Sequence, residues 1–91
     1  MNIRVELYGI ARQRAGTDQV VVNTPREPAR LGDVIGELAN RFPRLAEDCF
    51  DGDRVRAGYV ASVDGDRFVT DPDTPLRSGE ALLILSADAG G

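Results

Sequence analysis

Between Ile3 and Tyr8 apolar and polar residues alternate, with Ile3, Val5 and Leu7 on one side and Arg4, Glu6 and Tyr8 on the other. A period of two predicts a strand with one buried face. Gly9 follows, and Ala15-Gly16-Thr17-Asp18 reads as a turn. Gln19 to Asn23 holds three consecutive valines and predicts a second strand. Together these segments predict an N-terminal hairpin whose loop is somewhat longer than the tightest turns. Thr24 to Arg30 contains Pro25 and Pro28 and reads as a loop. Leu31, Val34, Ile35, Leu38, Ala39 and Phe42 then recur at helical spacing, and Pro43 ends that helix. Its start is weakly marked, because Arg30 stands where Ser, Thr or Asp would be expected as a cap. Gly36 inside it costs about 1 kcal/mol relative to Ala. The helix is therefore expected to depend on docking against a sheet.

Leu45 to Val55 is irregular, with room for a short helical turn. Tyr59 to Val63 alternates and leads into Asp64-Gly65, a hairpin signal, and Phe68 and Val69 continue the returning strand. A loop at Asp71-Pro72-Asp73-Thr74-Pro75 and a turn at Arg77-Ser78-Gly79-Glu80 precede Ala81 to Leu85. This last run is continuously apolar, which predicts a central strand covered on both faces, beside the first strand. The order is β-β-α-β-β-β. One helix can cover one face of a mixed sheet of four to five strands. The expected class is α+β, in the β-grasp or ubiquitin-like arrangement, with a folded domain over residues 1–86 and a flexible tail over 87–91.

The composition removes most catalytic chemistry. The chain has 91 residues and 11 positive charges, every one of them Arg; it has no Lys, no His and one Cys. A Ser–His or Cys–His pair, a Schiff-base Lys, a zinc site of His and Cys, and a cluster held by several Cys are all excluded within one chain. It is not expected to be a stand-alone enzyme. A net charge of −4 argues against nonspecific binding to nucleic acid or to an anionic membrane. Ala81 to Leu85 is the longest apolar run, too short to span a bilayer. Arg4 and Glu6 interrupt the first apolar stretch, so it does not read as a signal peptide. The cytoplasm is the default compartment. Cys49 reads as a small packed residue rather than a redox site. Asp48, Asp51, Asp53, Asp64, Asp66, Asp71 and Asp73 do not fit calcium-loop spacing and are read as turn residues, so no metal site is expected.

The candidate chemistry lies at the end of the chain. A strong apolar strand runs into Ser86-Ala87-Asp88-Ala89-Gly90-Gly91. Residues 87–91, if free, reach about 17 Å beyond the fold. Two glycines without Cβ atoms fit a narrow tunnel at any backbone angle. The functional reading is that the Gly91 carboxylate is the reacting group. Gly90, Ala89 and Asp88 then thread into a partner's active site. The plain alternative is a frayed end of no consequence.

At this point the chain resembles the ubiquitin-like sulfur carriers. These include the small subunit of molybdopterin synthase, to which it looks most similar, and the thiamine-pathway carrier. The stretches that carry the resemblance are IRVELYGIARQRAG, LGDVIGELANRFPRL, VASVDGDRFV and DTPLRSGEALLIL, leading to the terminal GG. The chain departs from the family pattern at Ser86-Ala87, where the molybdopterin subunits commonly carry a Pro pair, and at Asp64-Gly65, where they commonly have Asn-Gly. The resemblance implies that an E1-like adenylating enzyme uses ATP to activate the carboxylate of Gly91. A sulfur donor, a persulfide-bearing protein or sulfide, then leaves a thiocarboxylate there. That thiocarboxylate attacks a substrate held by an acceptor enzyme such as the large subunit of molybdopterin synthase. The chain itself binds no cofactor. The resemblance also implies a docking patch on the open sheet face, where Tyr8, Phe68 and Leu85 fall. Related carriers serve thiamine, cysteine or secondary metabolites, and a ubiquitin-like modifier joined to other proteins through Gly91 remains the other reading. The absence of Lys leaves such a modifier unable to form Lys-linked chains of itself.

Overall fold

The computed structural model describes residues 1–87. The alternation near the N-terminus forms strand β1 (Asn2–Leu7), with Ile3, Val5 and Leu7 buried. The segment expected as a plain loop then forms helix α1 (Gly9–Ala15) before β2 (Gln19–Asn23) pairs antiparallel with β1. Helix α1 is only two turns long and opens on Tyr8 without a side-chain cap, so neither a period nor a start signal marks it. What holds it is Ala11, fully buried, and Gly16, whose φ of 76° lets its N–H reach the Arg12 carbonyl at 2.9 Å.

A two-residue strand β3 (Ala29–Arg30) leads into α2 (Leu31–Arg41). Leu31, Val34, Ile35 and Leu38 are buried, while Ala39 and Phe42 pack partly against the same core. The start that lacked a cap residue is closed from inside: the Asp33 carboxylate accepts the Arg30 backbone N–H at 3.2 Å. Pro43 ends α2 and also opens the next helix, α3 (Pro43–Cys49), in the stretch expected to be irregular. Short strands β4 (Phe50–Asp51) and β5 (Arg54–Val55) form a small ladder. They are followed by β6 (Tyr59–Val63), β7 (Arg67–Val69), β8 (Pro75–Leu76) and β9 (Ala81–Ser86). Strands β3 and β8 pair with each other.

The main sheet has five strands in the order β2-β1-β9-β6-β7. Strands β1 and β9 run parallel and side by side, and β9 is central, as its sequence predicts. The turn at Asp64-Gly65 has φ of 55° and 77°, the left-handed pair that the Asp-Gly signal anticipates. The Asp64 carboxylate also accepts the Ala81 N–H at 2.8 Å, tying the turn to the start of β9. The topology is the β-grasp.

Inner and outer faces follow from the register. On the inner face Leu7, Ile84, Ala61 and Val69 stand in one row, and Val5, Leu82 and Val63 in the next. All seven are buried and join the core beneath the helices. On the outer face the expectation for β9 needs correction. Leu83 and Leu85 are only half-buried. They are shielded by neighbouring strands rather than by a second layer, so β9 is central in the sheet but open on one side.

Candidate functional site

The outer face collects the apolar side chains that the core does not use. Residues paired across strands share a face, so Gln19, Glu6, Leu83, Ser62 and Phe68 form one row across all five strands. Leu85 and Val60 form the next row, and the Tyr8 N–H donates to the Ile84 carbonyl at 3.1 Å, which sets Tyr8 beside this row at the end of β1. Phe68 is 75% exposed and Tyr8 44%, while Val60, Leu83 and Leu85 are half-buried. Ile10, in the first turn of α1, is also exposed and lies just beyond Tyr8 in the chain. Aromatic and aliphatic groups in contiguous rows on an open face are the feature that marks a protein interface.

The structure brings Tyr8, Phe68 and Leu85 to this one face, Phe68 in β7, Leu85 in β9 and Tyr8 just past the end of β1, where the expected strand stops at Leu7. It adds Leu83, Val60 and Ser62, which sequence reasoning did not single out. The signal for Leu83 was present: it shares parity with Leu85 in a run where both parities are apolar. Ser62 could be found only from the register. Gly91, Gly90, Ala89 and Asp88 lie outside the described residues. The last described position, Ala87, donates its N–H to the Gly58 carbonyl at 2.8 Å, so the chain leaves β9 beside the Tyr8–Leu85 end of the patch.

The charged groups around the face are already engaged. The Glu6 carboxylate pairs with Arg4 at 3.4 Å and accepts the Tyr8 hydroxyl at 2.5 Å. That hydrogen bond to a carboxylate is the main reason the Tyr8 phenol titrates above its usual value. Glu80 pairs with Arg67 at 3.5 Å and accepts the Arg77 N–H at 2.7 Å. The face is thus apolar in the middle and charge-balanced at its margins.

Cys49 is fully buried among core residues, and burial pushes its thiol up, with the Tyr59 hydroxyl partly opposing the shift. It is a packed residue, inert as a nucleophile at neutral pH. The acidic residues do turn and capping work: Asp71 accepts the Asp73 N–H at 2.9 Å, Asp64 anchors β9, and Asp48 pairs with Arg14. Among the described residues no group of three or more His, Cys, Asp or Glu is arranged to hold a metal ion. None of the described helices is long and apolar enough to cross a membrane.

No family model and no curated protein sequence matches the chain. Solved structures do match. Small archaeal modifier protein 1 from Haloferax volcanii superposes with a TM-score of 0.80 at 18% identity, covering 100% of both chains. A Pyrococcus furiosus protein described as a molybdopterin converting factor, subunit 1, gives 0.75 at 28% identity, over 94% of this chain and 97% of that one. A chain of the Amycolatopsis orientalis BexX/CysO complex gives 0.72 at 21% identity, over 98% and 99%. The chain has the β-grasp fold of these small proteins along nearly its whole length, and it is similar to the ubiquitin-like sulfur carriers.

Proposed function

We propose that this protein is a sulfur carrier whose reacting group is the carboxylate of Gly91. The observation that most supports the reading is the 28% identity, over 94% of the chain, to the protein described as a molybdopterin converting factor subunit. The chain's own chemistry agrees, since no Lys or His is present to catalyse a reaction. In this reading an adenylating enzyme of the E1-like kind joins the Gly91 carboxylate to AMP and releases pyrophosphate. Sulfide then displaces AMP and leaves the thiocarboxylate. If the donor is a protein persulfide, the first product is an acyl disulfide, which a thiol cleaves to the same thiocarboxylate. That soft anion attacks the substrate of an acceptor enzyme, and hydrolysis restores the carboxylate. ATP is consumed by the activating partner and no cofactor is held by the carrier. Molybdopterin synthesis in the cytoplasm is the first candidate pathway. Thiamine, cysteine and secondary-metabolite synthesis are the alternatives.

The outer face serves as the docking surface, through Tyr8, Phe68, Leu83 and Leu85. It borders the point where the chain leaves β9, so a partner seated there lies within reach of Gly91, with Gly90, Ala89 and Asp88 as the threaded segment. Joining Gly91 to Lys residues of other proteins uses the same activation and is the second reading, favoured by the fold shared with small archaeal modifier protein 1.

Intact mass spectrometry of the chain recovered from its host tests both. One oxygen replaced by sulfur, lost when Gly91 is deleted, supports the carrier. An unmodified chain accompanied by Lys-linked conjugates supports the modifier. Neither species, with an adenylating enzyme and ATP supplied, refutes both.

A further inference from the structure

Ser62 stands in the middle of the outer face, between Leu83 and Phe68 in the row that crosses the sheet. It is 2% exposed, and its Oγ has no hydrogen-bond partner among the described residues. A buried hydroxyl left unpaired carries its desolvation cost with no return, and Ala would fill the same position without that cost. The carboxylates at the margin do not answer it, because Glu6 and Glu80 are both engaged elsewhere. The neighbour on one side, Phe68, sits on the edge strand β7 and is 75% exposed, and rotamer changes of exposed side chains take nanoseconds or less. The face therefore offers a partner an apolar surface with one unsatisfied donor at its centre.

We infer that the Ser62 hydroxyl donates a hydrogen bond to a main-chain carbonyl of the adenylating enzyme when that enzyme docks on the outer face. The inference rests on the carrier reading and adds a specificity-determining residue to it. An apolar partner surface without an acceptor at that point leaves the hydroxyl buried and unpaired in the complex, and is discriminated against on that ground.

The test uses the full chain and the purified adenylating enzyme that activates it, with ATP present. Dissociation constants are measured for wild type, Ser62→Ala, Ser62→Thr and Phe68→Ala, and each free chain is unfolded in urea. The expected result for Ser62→Ala has opposite signs in the two readouts. Binding weakens roughly fivefold to tenfold, the worth of one hydrogen bond, while the free chain unfolds at higher urea. Ser62→Thr keeps the hydroxyl and recovers most of the affinity. If Ser62→Ala binds like wild type while Phe68→Ala is weakened, the hydrogen bond is refuted and the docking face stands. If both bind like wild type, the docking face and the hydrogen bond fall together. A Ser62→Ala chain that is less stable when free also overturns the inference, because the hydroxyl then has a partner within the fold.

Discussion

Ile84 and Phe68 belong to the same sheet but face opposite ways, and truncating each to Ala separates the two faces energetically. Ile84 is fully buried in β9, between Leu7 and Ala61 in the inner row. Ile84→Ala removes carbons from a site enclosed by β-ladders on both sides, where the backbone cannot collapse to refill it. Such deletions cost about 2–5 kcal/mol. The whole fold of a chain this size is worth about 5–14 kcal/mol. The variant is therefore expected to lose a large share of its stability, with Tm lower by about 10–25 °C. Phe68 has only a quarter of its surface covered. Full burial of a Phe side chain is worth about 1.5–3 kcal/mol, so Phe68→Ala is expected to cost about 0.5 kcal/mol. Urea titration followed by far-UV circular dichroism, fitted with a shared slope, reads both. A loss at Phe68 as large as that at Ile84 would refute the assignment of Phe68 to an open face. The docking proposal would then lose its most exposed contact.

The remaining predictions concern local features. Gly36 is exposed within α2 and a Cβ there meets nothing within 4 Å, so Gly36→Ala is expected to raise stability by about 0.5–1 kcal/mol in the same titration. Gly65 holds φ of +77° in the β6–β7 turn, so Gly65→Val should cost more than 1 kcal/mol and lower the unfolding midpoint. The Cys49 thiol is raised in the folded state by burial, so its contribution is complete below its usual value of 9.0 and is lost as pH rises past it. Unfolding titrations at successive pH values should show a fall above that point that is smaller in Cys49→Ala. Alkylation at neutral pH should label Cys49 only after urea unfolding; rapid labelling of the native chain would contradict its burial.

Much of the fold was legible because β1 and α2 carry their period intact, while β2 and β9 stand out as apolar runs. The Ile3–Val5–Leu7 parity, the spacing from Leu31 to Phe42, and Asp64-Gly65 each encode a local geometry that the tertiary structure has no reason to override. Helices α1 and α3 were not legible in the same way. Each is seven residues long, too short to show a period, and α1 has one fully buried residue, Ala11, with Ala15 packed partly against the core. Pro43 was read only as a stop, although a proline at the first helical position also starts a helix. Within the candidate site, Tyr8 was legible from the parity of β1 carried one residue past its end. Phe68 and Leu85 could not be assigned to a face by period alone, since β7 is three residues long and β9 is apolar at every position from Ala81 to Leu85. Ser62 became visible only through its register partners, Leu83 and Phe68.

The mistaken expectation about β9 is itself informative. A central strand needs one apolar parity to build a core, and Leu82 and Ile84 supply it here. Leu83 and Leu85 are surplus to that need, and in a sheet covered on one side the surplus faces water. Partial shielding by Val60 and Tyr8 lowers the cost of this exposure without removing it. Polar residues at 83 and 85 would be compatible with the isolated fold, as they are at Arg4 and Glu6 on the neighbouring strand. An apolar parity on an open face is what the proposed docking surface would use. Under the proposed docking, the two parities of strand β9 divide the work between them: Leu82 and Ile84 pack under the helices, while Leu83 and Leu85 are the side chains left for a partner. Replacing Leu83 and Leu85 together by Thr should therefore cost no more than about 1.5–3 kcal/mol and leave the chain folded, because each is only half-buried. Binding to the adenylating enzyme should fall at least tenfold, and a pair of substitutions that unfolded the chain instead would show that this parity serves the core.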